Sequence, residues 1–296
     1  VAELAGDHGR GREARKPLGE RAAVVMGILY ALMPAAIFNS AAWGQIDAVL
    51  ALLVALSLLN LSKGRYERSL VIFGLAILVK PQALLFAPLG LMVLVVEVFR
   101  ADDRRRTALR LVRALGLMLA VMLLLALPFL TALPENLVAQ SDFAAGAPGF
   151  LKPVAWLISL YGGTMESYNS LTVNAANLYA LLDKNWAPLE GEPVLKIFSI
   201  VMMALSYVYA AFLYARGNRR GRLMLVCATL LTLIFSFGPM MHERYLFPAL
   251  LLLALSYAVD RDYRLLIAMM TIGLTQFLNA GLVLQSRHLL DQEQAI

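Results

Sequence analysis

Long apolar segments alternate with short polar turns along almost the whole chain. The apolar segments have the length of helices, and the alternating pattern typical of strands is rare. A membrane span needs about 20 apolar residues to cross roughly 30 Å of hydrocarbon, and several segments approach this length. The apolar segments are 22–37, 48–61, 69–79, 83–99, 111–130, 193–215, 223–237, 246–259 and 265–284. The pattern predicts an all-α polytopic membrane protein with about eight membrane helices or half-helices.

The polar turns divide the chain into three parts. Residues 1–130 are predicted to form membrane helices with two polar turns sunk below the membrane surface. Residues 131–192 are the longest polar stretch, and we expect them to form a loop region outside the cytoplasm. Residues 193–296 return to membrane helices. The first six residues resemble the tail of a helix, so we expect further spans upstream of Val1.

The composition agrees with a multi-pass membrane protein. The chain is 60% hydrophobic and only 16% charged, with a mean hydropathy of +0.70. An ordinary soluble domain is about 25% charged. The single cysteine, Cys227, lies inside an apolar segment and excludes a disulfide framework. Cys and His residues show no metal-binding spacing, and the sequence predicts neither a metal nor a cofactor.

Basic residues are distributed unevenly between the polar turns. Cytoplasmic loops of membrane proteins are enriched in Lys and Arg. If residues 7–21 are placed inside and the sides then alternate, the inside segments hold 20 of the 26 Lys and Arg residues. This topology accounts for the formal net charge of +6 without any nucleic-acid partner. It predicts a cell-membrane protein whose unusual polar turns all face outward.

Three of these outward turns lie at the ends of short apolar segments. Residues 69–79 span only about 16 Å as a helix, so Lys80 is expected well below the outer surface. Lipid cannot satisfy polar groups at that depth, and they must face protein or a wet cavity. We therefore predict one outward-facing cavity formed by turns 43–47, 80–82 and 242–245, with the loop region 131–192 above it.

Two cations at the tips of these turns are candidates for binding the phosphate of a donor. Lys80 ends an apolar segment beside Pro81, and Arg244 lies between two apolar segments. His242 can add a third hydrogen-bond donor. The alternatives are a lysine that extends to the interface and an arginine neutralised by its neighbour Glu243.

Further polar and aromatic residues are candidates for lining the cavity and binding substrate. Asn174 and Asn177 are spaced for one helix face, and amides of this kind suit sugar hydroxyls; a plain amphipathic interfacial helix is the alternative. Asp47 can instead cap the following helix, and Trp43 can belong to an interfacial aromatic belt. The complete set of cavity candidates is Trp43, Gln45, Asp47, Gln82, Asn174, Asn177, Glu243 and Tyr245.

Four stretches carry a resemblance to one family of membrane enzymes. In chain order they read NSAAWGQIDAVLALL, GLAILVKPQALLFAPL, TVNAANLYALL and MHERYLFPALLL. The chain resembles bacterial relatives of the GPI-anchor mannosyltransferase II family, integral-membrane glycosyltransferases of the GT-C class. The resemblance covers about residues 22–257. Glucosyltransferases that use dolichyl-phosphate glucose are similar in layout, with His-Glu-Lys where this chain has His242-Glu243-Arg244.

The resemblance implies an inverting enzyme that takes a hexose such as mannose from a polyprenyl-phosphate carrier. A glycan, lipid or protein outside the cytoplasm would accept the sugar. The resemblance also implies a catalytic Asp in the first outer loop, which would lie upstream of Val1; Asp47 is the candidate within the sequence. Phosphate is the leaving group, so no metal or nucleotide is needed. A membrane transporter or a lipid-carrier flippase stays open as the alternative, because broken helices and buried charges occur there too.

Overall fold

The computed structural model describes residues 18–132, 148, 152–166, 168–216 and 221–294. This part of the chain is almost entirely helical, which confirms the all-α prediction. The first seven helices are α1 (Glu20–Ala31), α2 (Pro34–Ile37), α3 (Asp47–Ser62), α4 (Tyr66–Val79), α5 (Ala87–Arg100), α6 (Arg104–Ala132) and α7 (Lys152–Glu166). The others are α8 (Leu178–Leu181), α9 (Pro193–Arg216), α10 (Leu223–Phe237), α11 (Pro248–Asp260) and α12 (Tyr263–Gln294). The expected upstream helix end at residues 1–6 lies outside the described residues.

Long and short apolar helices have different places in the fold. Four segments are long and apolar enough to cross a membrane: Pro81–Arg100, Arg104–Pro128, Pro193–Arg216 and Tyr263–Ser286. The shorter helices α10 and α11 have 15 and 13 residues, and most of their side chains are buried by protein. A helix that is apolar on all sides is typical of a core position. Helices α10 and α11 therefore belong to the core, and the four longer segments present most of their apolar side chains outward.

The predicted helix at 22–37 is broken in two. Helix α1 ends at Ala31, and the following segment Pro34–Ala42 is bent by 56° from it. Proline lacks a backbone N–H and begins a helix more readily than it continues one, which explains the break at Pro34. A π-helical turn, Phe38–Ala42, follows, and the Trp43 amide donates to the Phe38 carbonyl at 2.9 Å.

Helices α4 and α6 pack closely along much of their length. A methyl group at Gly74 of α4 would lie only 2.7 Å from the Met118 Cγ of α6. Such a distance is shorter than carbon atoms tolerate, so the two helices approach each other over a glycine. Helix α4 ends at Val79, directly before Lys80, so the helix that packs against α6 leads into that lysine.

A two-stranded parallel ladder joins two distant parts of the chain. Strand β1 (Thr172–Val173) pairs with β2 (Met241–His242), with Thr172 opposite Met241. The prediction that Asn174 and Asn177 lie on one face of a single helix is wrong. Asn174 has a left-handed backbone with φ 60°, which asparagine tolerates better than most residues, and a helix begins only after Asn177.

Candidate functional site

The carboxylate of Asp47 lies at the first residue of α3 and is completely buried. Lys80 Nζ donates to its Oδ1 atom, and Asn39 Nδ2 donates to its Oδ2 atom at 3.2 Å. The side chain does not cap α3, so the capping alternative is wrong. Because a buried carboxylate is costly unless paired, its two partners are what make this position possible.

Lys80 lies where α4 ends and a 3₁₀ turn, Pro81–Phe86, begins. Its backbone is extended, and only 15% of its side chain is exposed. The ammonium group pairs with Asp47 across 33 residues of sequence. It is therefore a cation held inside the protein, not a lysine that extends to the membrane interface.

Gln82 connects the turn after α4 to the turn between α10 and α11. Its Nε2 atom donates to the Tyr245 carbonyl at 2.8 Å. Its Oε1 atom is buried and has no hydrogen-bond partner within the described part of the chain. The expected meeting of these two turns is therefore present, and it leaves an acceptor available.

Arg244 and Glu243 form an ion pair at this junction. Arg244 Nη1 lies 2.5 Å from Glu243 Oε1, which agrees with the alternative of a neutralised arginine. The ion pair is made by Arg244 Nη1. Arg244 Nε is buried and has no partner among the residues described. The hydrogen bond from Gln82 Nε2 to the Tyr245 carbonyl joins this turn to the turn that holds Lys80. Two cation–carboxylate pairs thus share one site.

His242 lies in strand β2 between two aromatic rings. Its ring centroid is 4.5 Å from that of Tyr168 in an edge-on arrangement and 4.8 Å from that of Tyr245. Its Nδ1 atom is 4.0 Å from Glu243 Oε2. The histidine is thereby fixed beside the Glu243–Arg244 pair.

The side-chain amides of Asn174 and Asn177 form hydrogen bonds within the protein. Asn174 Oδ1 accepts from Asn185 Nδ2 and from Trp186 Nε1, each at 2.9 Å. Asn177 caps α8 and donates to the Phe235 carbonyl at 3.2 Å. Burial raises the pKa of Tyr179 to about 12, and its hydroxyl donates to the chain rather than ionising. Both asparagines therefore shape the wall of the site through internal hydrogen bonds.

Trp43 and Gln45 lie in the turn before Asp47 but apart from the paired charges. The Trp43 ring packs edge-on against Phe38 at 6.4 Å, and Phe38 packs in the same way against Phe277 of α12 at 5.6 Å. The backbone N–H of Gln45 donates to the Asn39 carbonyl at 2.9 Å. These contacts support the turn that holds Asp47.

Helix α12 contributes two site residues that the sequence analysis did not single out. Gln276 Nε2 donates to the Glu243 carbonyl at 2.6 Å. Asn279 accepts from the Ala176 amide and donates to the Asn174 carbonyl, both at 2.8 Å. Polar residues three positions apart inside an apolar span were the available signal, since polar groups at such positions are costly without a partner.

The site as a whole combines charge pairs with unused hydrogen-bonding atoms. Lys80 and Arg244 face Asp47 and Glu243, and Arg244 Nε and Gln82 Oε1 have no partner within the described ranges. These ranges contain no group of three or more His, Cys, Asp or Glu residues arranged to hold a metal ion. The arrangement suits a ligand that offers both anionic oxygens and hydroxyl groups.

A helical bundle with four potential spans in its described part defines an all-α polytopic membrane protein. The sequence model of glycosyltransferase family 87 matches residues 5–236, more than half of the chain. The chain belongs to glycosyltransferase family 87. It is therefore a membrane glycosyltransferase, although the match does not single out the GPI mannosyltransferase II family. The turn at His242–Tyr245 lies beyond the matched region. Comparisons with curated proteins and with solved structures gave no match.

Proposed function

We propose that this glycosyltransferase transfers a hexose from a polyprenyl-phosphate sugar to an acceptor outside the cytoplasm. The observation that carries the proposal is the contact between the turns that hold Lys80 and Arg244, through the hydrogen bond from Gln82 Nε2 to the Tyr245 carbonyl, together with the buried, unpartnered atoms Arg244 Nε and Gln82 Oε1. Family membership supports sugar transfer over transport. The chemistry of these groups supports the proposed donor.

A sugar phosphodiester is complementary to both unpartnered atoms. Its phosphate oxygens only accept hydrogen bonds, and they match Arg244 Nε. Its sugar hydroxyls can donate, and they match Gln82 Oε1. A buried polar atom without a partner costs about 1–3 kcal/mol, so a ligand that pairs with both atoms gains binding energy that an apolar ligand cannot.

In the proposed reaction, an acceptor hydroxyl oxygen bonds to the anomeric carbon while the bond from that carbon to the phosphate oxygen breaks. The electron pair leaves with the phosphate, and a base takes the acceptor proton. Lys80 and Arg244 stabilise the growing charge on the phosphate, and His242 adds a donor. Arginine can bind two phosphate oxygens at once, whereas lysine acts as a point charge.

Asp47 positions Lys80 in this proposal and does not act as the base. Its two oxygens are already bonded to Lys80 and Asn39, and its side chain is buried. A base must reach the acceptor hydroxyl within hydrogen-bonding distance. The base is therefore assigned to a residue other than Asp47.

The proposal is tested by assaying the full-length protein in proteoliposomes with radiolabelled polyprenyl-phosphate hexoses. Lys80→Ala and Arg244→Ala should each lower the transfer rate by roughly 10- to 150-fold, the loss of one charge-assisted hydrogen bond worth about 1.5–3 kcal/mol. Arg244→Lys should restore part of the rate. Lys152→Ala, a change at an exposed lysine, is the control.

Donor binding is measured in the same variants. Wild-type affinity and rate in both alanine variants would rule out the phosphate-binding role. Efficient transfer from a nucleotide sugar with no transfer from any polyprenyl-phosphate sugar would replace the proposed donor class. Labelled acceptor recovered inside sealed vesicles would reverse the proposed sidedness.

A further inference from the structure

The N-terminal end of α6 carries a charged groove far from the site described above. The groove has a volume of about 370 Å³ and is lined by Asp103, Arg105, Arg106, Leu109, Arg110 and Arg113. Four arginines therefore face one aspartate. Arg106, Arg110 and Arg113 recur at helical spacing, which places them along one side of α6.

These arginines are poorly compensated by the protein. Among the residues described, Arg110 is the one of these four arginines that forms an ion pair, with Glu67 Oε2 at 3.8 Å. Arg105, Arg106 and Arg113 have no ion-pair partner in the part of the chain that the structure covers. Like charges three or four residues apart repel each other, and arginines in the first turn of a helix also oppose its dipole. An external anion in the groove would offset both effects.

Part of the groove is held in place by contacts to neighbouring helices. The Arg110 guanidinium lies 5.4 Å above the ring of Tyr66 in α4. The Tyr66 hydroxyl donates to Glu97 Oε2 in α5 at 3.2 Å, and Tyr214 of α9 donates to the other Glu97 oxygen at the same distance. Asp103 accepts from the Arg106 amide at 2.9 Å and thereby caps α6. Arg110 and the helix end are thus preorganised.

An apolar surface continues directly from the groove along α6. Leu109 is 60% exposed and Val112 is 67% exposed, and the span Arg104–Pro128 is mostly unburied. A ligand that bridges the arginines and this surface needs a phosphate group attached to hydrocarbon chains. That description fits an anionic glycerophospholipid, whose phosphate pairs with arginine while its acyl chains lie against the apolar face.

We propose that the groove at the start of α6 is a binding site for an anionic glycerophospholipid. Such a lipid would fix the depth of α6 in the membrane. Helix α6 packs over Gly74 against α4, and α4 ends at Val79, directly before Lys80, so the bound lipid would also support the helix that leads to that lysine.

The full-length protein in neutral detergent provides the test, with binding followed by native mass spectrometry and by thermal unfolding. Phosphatidylglycerol should bind and raise the unfolding temperature. Phosphatidylcholine should bind much more weakly, since its headgroup has no net charge. Glycerol 3-phosphate and inorganic phosphate carry the same anion without acyl chains, and they separate a lipid site from a site for free phosphate.

A matched pair of triple variants distinguishes lipid binding in the groove from a general effect of positive charge. Arg105→Gln, Arg106→Gln and Arg113→Gln together should weaken phosphatidylglycerol binding by on the order of 100-fold, because each basic residue near a lipid surface contributes roughly 1 kcal/mol. The control removes the same charge at exposed arginines elsewhere: Arg21→Gln, Arg68→Gln and Arg222→Gln. The control should keep wild-type lipid affinity.

Three outcomes would overturn the proposal. The control variant could lose as much affinity as the groove variant, which would mean that only net charge matters. Phosphatidylcholine could bind as tightly as phosphatidylglycerol. Free phosphate could bind as tightly as the lipid, which would make the groove a site for soluble anions.

Discussion

Asp47 and Lys80 carry opposite charges in a part of the protein from which water is largely excluded. Removing one member of a buried pair leaves the other uncompensated and typically costs about 3–5 kcal/mol, whereas replacing both with neutral groups is far less harmful. Asp47→Ala should therefore destabilise the protein strongly. The double variant Asp47→Asn, Lys80→Gln should recover most of that stability, because amides of similar size can still bond to each other and to Asn39.

Activity separates the two functions of this pair. The double variant should remain as inactive in sugar transfer as Lys80→Ala, because it lacks the cation. Unfolding in detergent, followed by intrinsic fluorescence, measures the stability, and the transfer assay measures the rate. An active double variant would show that the charge of Lys80 serves stability alone.

Helix α12 braces the site through one pair of polar side chains. Asn279 holds the Asn174 carbonyl and the Ala176 amide, and both backbone groups lose their partner in Asn279→Ala. A buried group left unsatisfied costs about 1–3 kcal/mol, and these two partly buried groups should cost less, so the unfolding temperature should fall moderately and the transfer rate should decrease. Leu278→Ala, a change at the exposed neighbour on the same helix, is the control.

Two results would contradict the role of Asn279 as a brace. Unchanged transfer in a destabilised Asn279→Ala protein would mean that the turn at Asn174 keeps its shape without this brace. Loss of transfer in Leu278→Ala to the same degree would point to general disturbance of α12. Thermal unfolding and transfer rates of the two variants, measured in one membrane preparation, distinguish these cases.

Helices were predictable from the sequence where apolar patterning alone determines them. The segment 223–237 corresponds to α10 residue for residue, and 193–215 differs from α9 by one residue at its end. The pattern failed at Pro34, where the backbone rather than hydrophobicity decides, and at Asn174, where a left-handed residue and a strand replace the expected helix. Pairing partners such as Asp47 and Lys80 depend on long-range packing, which a single sequence does not encode locally.

The whole molecule has a predicted orientation that follows from its basic segments. Cysteines placed at Glu190 and at Asp102, in a Cys227→Ala background, should differ in labelling by an impermeant thiol reagent on intact cells. Both positions are exposed, and Cys227 is buried. Position 190 should label and position 102 should not, because the arginine-rich segment from Arg100 to Arg113 is expected inside.

Permeabilised cells give the control for this orientation. Both cysteines should label there, which shows that each is reactive once the reagent can reach it. Labelling of position 102 but not of position 190 on intact cells would invert the topology. The proposed acceptor side would then be the cytoplasm.

The pairing of each site cation with a carboxylate has a consequence for selectivity. Lys80 with Asp47 and Arg244 with Glu243 form a cluster that is electrically neutral, so it exerts little attraction on ions at a distance. Soluble phosphate, sulfate and nucleotides are therefore not concentrated at the site. A donor tethered to the membrane by its own lipid tail reaches the site at a high effective concentration and does not need that attraction. On the proposed reaction, charge neutrality makes the lipid anchor itself part of substrate recognition.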